Sequence, residues 1–531
     1  MPLALYIIYP LQCWQQINSL LLPERHELYC RLCIELGSIE HSETARKKTQ
    51  AMKKTIVLYP GLFVSHLVPM MELADVLLEE GYAVTAAVID LTLDQDAALA
   101  ATVDRVAAAR PPVLVRRLPQ IQDSPEVADY GDAFLWYIEV VRRYNERLRE
   151  FLCSLPPRSV HAVVVDAPST AALDVARELG VPAYTFFASN ASAVAMFLQL
   201  PWMRAEGQPS FKELGDAPIE FHSVPPMPAS YLMRETLQVS ESELYKAMMN
   251  TMRQNVEPDG ILVNTFASLE ARAVAALRDP QVRPGGEERR TPPIYYVRPR
   301  VAGAGAGTKE KHECLAWLDT QPEHSVLFLC FRSIGAATHS EEQLREVAIG
   351  LQKSGHRFLW VVQAPLRGDT QRLFDPRADV DLDGLLPDGF LASTEGRGLV
   401  VKHWAPQVEV LRHRATAAFV THCGWNSTLE GIAAGVPMLC WPMYAEQKLN
   451  KVVMVEEAGV GVEMSGWEQG LVTVEEVEAK VRLVMESEEG ERLRARVAAH
   501  RVAATVACKA GGSSRAAFGH FLVDAACLGR V

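Results

Sequence analysis

Residues 417 to 434 leave little choice of fold. Ala417-Ala418-Phe419-Val420 is an apolar run of buried-strand type, Thr421-His422-Cys423-Gly424-Trp425-Asn426-Ser427 is a polar turn, and a helix is expected from Thr428 to Ala434. Strand, turn and helix in this order form the repeating unit of an open α/β sheet, whose ligands bind outside the carboxyl ends of the strands. The helix start would aim unpaired N–H groups at that place, and a pyrophosphate suits them. Gly424 lets the backbone come close, and His422, Asn426 and Ser427 supply hydrogen-bond donors without a fixed cation.

The same alternation opens the chain. Thr55 to Tyr59 reads as a strand ended by Pro60-Gly61. A helix follows, with Ser65 as its cap, Pro69 in its first turn, an apolar stripe at Met70, Leu73, Ala74 and Leu77, and Gly81 as its stop. Tyr82 to Ile89 is the next strand, so the order is that of a parallel, doubly wound sheet. His66 falls in the loop after the first strand, where such folds place chemistry. Val163-Val164-Val165-Asp166 is an apolar strand ending in a carboxylate that could fix the tautomer of that imidazole and stabilise its charged form. Taken singly, His66 could equally be a solvated loop histidine and Asp166 a helix cap.

Further along, Leu173–Leu179 is expected as a helix, Ala183–Phe187 as a strand, Ala193–Trp202 as an apolar helix walling a pocket, and Gly260–Phe266 as a strand. The Pro-rich residues Val224–Pro228 read as loop. Pro280–Thr308, with its Ala302-to-Gly307 alternation of Ala and Gly, reads as a connection between domains. Beyond it come a helix at Cys314–Leu318, a strand at Ser325–Phe331, a helix capped by Ser340 and Gln343, a strand at Phe358–Val362 and a surface loop at Arg367–Asp388. Helix Lys448–Glu457, strand Gly461–Met464, a helix capped by Thr473 and Glu476 and a last apolar helix, Ala516–Ala525, complete the chain.

A chain of 531 residues exceeds what one core usually supports, so two domains are expected. A formal charge of −12 argues against nucleic acid as a partner, since phosphate backbones need a basic face. Ten cysteines show no framework spacing, and the lone Cys30-x-x-Cys33 lacks a second pair, so free thiols in a reducing compartment are expected. No apolar run reaches the ~18 residues of a membrane span. Residues 1–51 show no clear period, whereas Met52 is followed at once by a clean strand; the functional chain is expected to begin there, with 1–51 an extension outside the fold.

From Trp404 to Gln447 the chain resembles the donor-binding signature of plant family 1 UDP-glycosyltransferases: the opening Trp404, the His422-to-Ser427 core, Glu430 and the closing Glu446-Gln447 all stand at the family spacing. The resemblance implies an α/β fold of the GT-B type, two facing Rossmann-like domains, here 52–297 for the acceptor and 313–531 for the UDP-sugar, joined by 298–312. A return of the last helix to the first domain is permitted. The resemblance further implies that Trp404 stacks on uracil beside Ala405 and Gln407, that Glu430 accepts from the ribose hydroxyls, and that Ser333, His422, Gly424, Asn426 and Ser427 hold the diphosphate. Trp425, Glu446 and Gln447 would meet the sugar, and Gln447 suggests glucose. His66 would be the catalytic base and Asp166 its support, in an inverting, metal-independent transfer from UDP-glucose, a co-substrate rather than a cofactor, to a small phenolic acceptor such as a flavonoid. A cytoplasmic monomer is expected.

Some readings stay open on the residues themselves. Ser427 and Glu430 also fit a capping box, and Trp404, Trp441 and His422 also fit a core. The chain departs from the family where it carries Val64-Ser65 before His66, Arg298 before the linker proline, and Phe331-Arg332-Ser333 where a glycine is usual. Arg332 could block the diphosphate, which makes a sugar-nucleotide-binding protein with little transferase activity the alternative. A dinucleotide oxidoreductase lacks the Gly-x-Gly-x-x-Gly it would need after either opening strand. No Asp-x-Asp pair stands out as a metal holder.

Overall fold

The computed structural model describes residues 54–91, 97–204, 208–279, 291–297, 311–331, 339–363 and 380–529. Extension 1–51, most of the 298–312 connection, Arg332, Ser333 and the first part of the 367–388 loop lie outside them.

Two parallel sheets organise the chain. The first lobe holds β1 (Thr55–Tyr59), β2 (Ala83–Ile89), β3 (Leu114–Leu118), β4 (Val160–Asp166), β5 (Ala183–Phe187), the hairpin β6 (Pro218–Phe221) and β7 (Val224–Pro228), then β8 (Gly260–Val263) and β9 (Ile294–Tyr296). Its main sheet runs β3-β2-β1-β4-β5-β8-β9. The second lobe holds β10 (Val326–Cys330), β11 (Arg357–Val362), β12 (Gly398–Lys402), β13 (Thr416–Thr421), β14 (Met438–Cys440) and β15 (Gly461–Glu463), in the order β12-β11-β10-β13-β14-β15. Both sheets are built outward in two directions from a central pair, β1/β4 and β10/β13, and the crevice at such a reversal is where α/β folds bind ligands. The strands β1, β4, β10 and β13 are apolar and buried almost throughout, as sheets covered on both faces require.

The lobes share apolar packing. One continuous buried cluster contains Met196, Met248 and Phe266 of the first lobe with Trp425, Leu449 and Met454 of the second. The final helix, Ser513–Leu528, starts three residues before the expected Ala516 and lies on the first lobe, with Phe518, Phe521, Leu522 and Ala525 in that lobe's core.

Several expectations need correction. Val224–Pro228 is a strand, not a loop: its three prolines are tolerated because a two-stranded ribbon has an open edge on both sides. The end of the expected surface loop is core, with Val380, Leu385 and Leu386 all buried. Most of the expected pocket-wall helix, observed at Ala191–Gln199, is also core; only Phe197 and Gln199 are part exposed.

Candidate active site

β1 and β4 lie side by side, so the turn after one and the end of the other open on the same side of the sheet. The first helix, Val64–Glu79, starts from Phe63 without a side-chain cap. Ser65 is therefore inside the first turn rather than its cap, and His66 is helical rather than in a loop. No glycine is needed before the histidine, because Ser65 follows the helix and His66 Nδ1 still reaches both Oδ1 and Oδ2 of Asp166 at 2.9 Å. Asp166 is fully buried and caps nothing, while the His66 side chain keeps 28% exposure. Burial pulls the imidazole toward its neutral form, but the charge and hydrogen bond of Asp166, with Glu446 beyond, outweigh it and leave the pKa above its ordinary value. Nδ1 is held by Asp166, so Nε2 is the nitrogen offered to a substrate proton.

Tyr137, which sequence pattern did not single out, completes this cluster. Its hydroxyl stands 3.3 Å from Asp166 Oδ2 and 2.7 Å from Ser169 Oγ. Gly61, at φ +64°, makes room: a Cβ there would come 2.1 Å from the Tyr137 oxygen.

In the second lobe the helix after β13 spans Trp425–Ala434, three residues earlier than expected, and no side chain caps its start at Gly424. Its first N–H groups thus face the crevice uncapped, with no acidic residue in the first turn to compete for an anion. Gly424 is required for space: a Cβ would come 2.5 Å from His422 Nε2. Cys423 beside it takes the left-handed φ of +63° that side chains disfavour, and Asn450 Nδ2 holds its carbonyl at 2.9 Å.

Because the helix begins early, Ser427 is in its first turn and the capping box with Glu430 does not form. Gln407 Nε2 instead donates to Ser427 Oγ at 2.9 Å and Glu430 Oε2 at 2.6 Å. Burial pushes the Glu430 carboxyl up to about 7 against the opposing Gln407 bond. Trp404 is 46% exposed, its edge against His312, while Ala405 beside it is buried. Trp441 is a core residue, packed on Phe331 and His339. His422 is buried beside the Tyr444 ring. Gln447 is buried with its side-chain carbonyl accepting from the Met443 and Tyr444 amides, and Glu446 accepts from Ser189 of the first lobe at 3.0 Å.

The two crevices meet. Pro69 has no N–H to give the carbonyl of Ser65 four residues back, and Asn426 Nδ2 of the second lobe donates to that carbonyl at 2.7 Å. Asn264 Nδ2 donates to Asn426 Oδ1 at 3.2 Å, and Trp425 Nε1 donates to the Asn264 carbonyl at 2.7 Å. The Trp425 indole therefore joins the lobes, which leaves its backbone N–H to face a ligand. Asn190, whose amide meets Asn450 Oδ1 at 2.6 Å, also caps its own helix; that cap, preceding an apolar run, was the signal that could have found it.

Asp-x-Asp pairs do occur, at Asp94 and Asp96, at Asp379 and Asp381, and at Asp381 and Asp383; Asp94, Asp96 and Asp379 lie outside the described residues, and Asp381 caps the short helix Leu382–Leu385. Among the described residues no three His, Cys, Asp or Glu side chains gather as metal ligands, and no helix is long and apolar enough to cross a membrane.

Comparison with known proteins decides what this geometry belongs to. The family model for UDP-glucoronosyl and UDP-glucosyl transferase matches residues 293–491. An anthocyanidin 5,3-O-glucosyltransferase from a Rosa hybrid cultivar is 38% identical over 471 residues, 86% of this chain and 96% of the relative. The chain belongs to the plant family 1 UDP-glycosyltransferases. A phloretin 2'-O-glucosyltransferase from Pyrus communis is 37% identical over 461 residues, 84% of this chain and 94% of the relative. Among solved UDP-glycosyltransferases, Phytolacca americana UGT2 complexed with UDP-2fluoro-glucose and pterostilbene matches with a TM-score of 0.76 at 30% identity, covering 89% of this chain and 99% of its own. A Medicago truncatula UGT complexed with UDP-glucose matches with a TM-score of 0.76 at 28% identity, covering 89% and 98%. The two parallel sheets are thus the two lobes of a GT-B UDP-glycosyltransferase.

Proposed function

We propose that this UDP-glycosyltransferase moves glucose from UDP-glucose, with inversion, to a hydroxyl of a small phenolic acceptor such as a flavonoid. The observation that carries the proposal is the contact of the two crevices: the donor turn, through Asn426, touches the residue preceding His66. In this reading Trp404 stacks on uracil, with Ala405 and Gln407 beside it, Glu430 accepts from the ribose, and the uncapped helix start with His422, Gly424, Asn426, Ser427 and Ser333 holds the diphosphate. Glu446, Gln447 and the Trp425 amide face the sugar.

The acceptor oxygen attacks the anomeric carbon while the bond to the diphosphate breaks. His66 Nε2 takes the acceptor proton, Asp166 balances the imidazolium, and UDP leaves with the bonding pair. UDP is already a fair leaving group, so positioning and charge stabilisation at the helix start carry the step, and no metal is required of it. The names of the glucosyltransferase relatives support the donor and the acceptor class. The enzyme is read as a monomer of the cytoplasm, a reducing compartment that suits the buried free thiols of Cys314, Cys423 and Cys440.

The test is incubation of the purified chain with UDP-glucose and a panel of phenols, with glucoside and UDP as products. UDP-glucose binding without turnover on any phenol would instead favour the sugar-nucleotide-binding alternative, and recovery of turnover in Arg332→Gly would trace it to that side chain.

A further inference from the structure

Tyr137 takes no part in the scheme above, yet it is built into it. Its ring stacks flat on Phe63, the residue from which the His66 helix starts, with centroids 4.7 Å apart and planes 4° from parallel. Its hydroxyl is buried against Asp166 and Ser169, in a space that exists because residue 61 lacks a side chain. An ionised carboxylate only accepts hydrogen bonds, so at this contact the phenol donates, and Ser169 can donate to the phenol oxygen in turn.

We propose that Tyr137, backed by Ser169, is a positioning residue that fixes the Asp166 carboxylate and limits its pull on the His66 proton. The proposal rests on His66 being the base. A carboxylate serving two donors holds each less strongly than one serving a single donor. Without the hydroxyl, the whole charge of Asp166 falls to the imidazole, and the neutral base is reached only at higher pH. The other groups facing this cluster are Glu446, which acts on His66 from the second lobe, and Tyr59, buried beside Tyr137; neither is altered by the substitution.

The test compares the full-length wild type with Tyr137→Phe, Ser169→Ala and His66→Ala, using UDP-glucose and a phenolic acceptor across pH. Tyr137→Phe keeps the ring on Phe63. It should move the acid limb of kcat upward by about half a unit to one unit and cut turnover below that limb roughly three- to tenfold, with KM for UDP-glucose unchanged. Ser169→Ala should shift it less, in the same direction. NMR titration of the His66 imidazole in the same variants reads the shift without turnover. An unmoved His66 titration in Tyr137→Phe, or a loss of rate equal at every pH, overturns the proposal. Near-wild-type turnover in His66→Ala would be a different failure, that of the base assignment itself.

Discussion

His66 and Asp166 set opposite pH demands on activity and stability. Asp166 raises the His66 pKa above its ordinary 6.5, so the stability contributed by the pair is full below about that value and is lost as pH rises through the raised one. Activity runs the other way, because only neutral His66 can accept a proton. The rate should therefore climb with pH along a limb displaced above 6.5, and a kcat/KM profile in buffers of constant ionic strength checks it. Asp166→Asn keeps the shape and removes the charge; it should bring that limb down and reduce turnover by roughly 10²-fold or more while UDP still binds. Glu430 gives a second pH signature, independent of catalysis. Its carboxyl is pushed up to about 7 and is a pure acceptor only when ionised, so if it holds the ribose hydroxyls as proposed, UDP affinity should rise as pH passes through 7 and then level off. Calorimetric titration of Glu430→Gln beside the wild type separates this from ionisation of UDP itself; equal pH dependence in both would remove Glu430 from the ribose site.

The turn after β12 carries an indole, Trp404, that the core does not need. Trp404→Ala should weaken UDP binding by roughly tenfold to a hundredfold through lost base stacking, yet leave the melting temperature almost unchanged, because the side chain is half exposed. A large loss of stability with unchanged UDP affinity would make Trp404 structural. How far such elements could be read in advance depended on what fixes them. Short buried strands such as Ala183–Phe187 matched the expectation because apolar runs bounded by turn residues have one outcome. Helix starts were misplaced where a possible cap residue lay inside the first turn, as at Ser65 and Ser427, since the side-chain pattern does not say whether the preceding backbone is already helical. Absent from the sequence expectations is the 22-residue helix Ala133–Ser154, although Asp132 caps it and Trp136, Tyr137, Val140, Val141 and Tyr144 mark its buried face. Tyr137 was hidden with it: a tyrosine on an apolar stripe reads as core, and only the fold brings its hydroxyl to Asp166. The contacts between lobes were invisible for the same reason, because Asn264 and Asn426 are 162 residues apart.

The first lobe is finished by the end of the chain. Phe521 packs edge-on against Tyr184 with centroids 4.8 Å apart and also meets Tyr295, whose hydroxyl donates to Asp524 at 2.5 Å. Arg515 pairs with Glu79 and Glu80 at the far end of the His66 helix. The helix therefore covers β4, β5 and β9 of the lobe that carries Asp166, although it enters from the lobe that carries the donor turn. Two consequences follow from that crossing. The lobes are tied into one unit at a point remote from the crevices, so their approach at Asn426 and Ser65 is supported from behind. Damage to the helix should also be felt first in the first lobe. Phe521→Ala should lower unfolding free energy by about 3–5 kcal/mol, as for other aromatic deletions from packed cores. In native-state hydrogen exchange the loss of protection should concentrate in β4, β5 and β9 and spare β13. Greater exchange in the second lobe than in the first would show that the helix stabilises the lobe it comes from, and that the tie between lobes lies elsewhere.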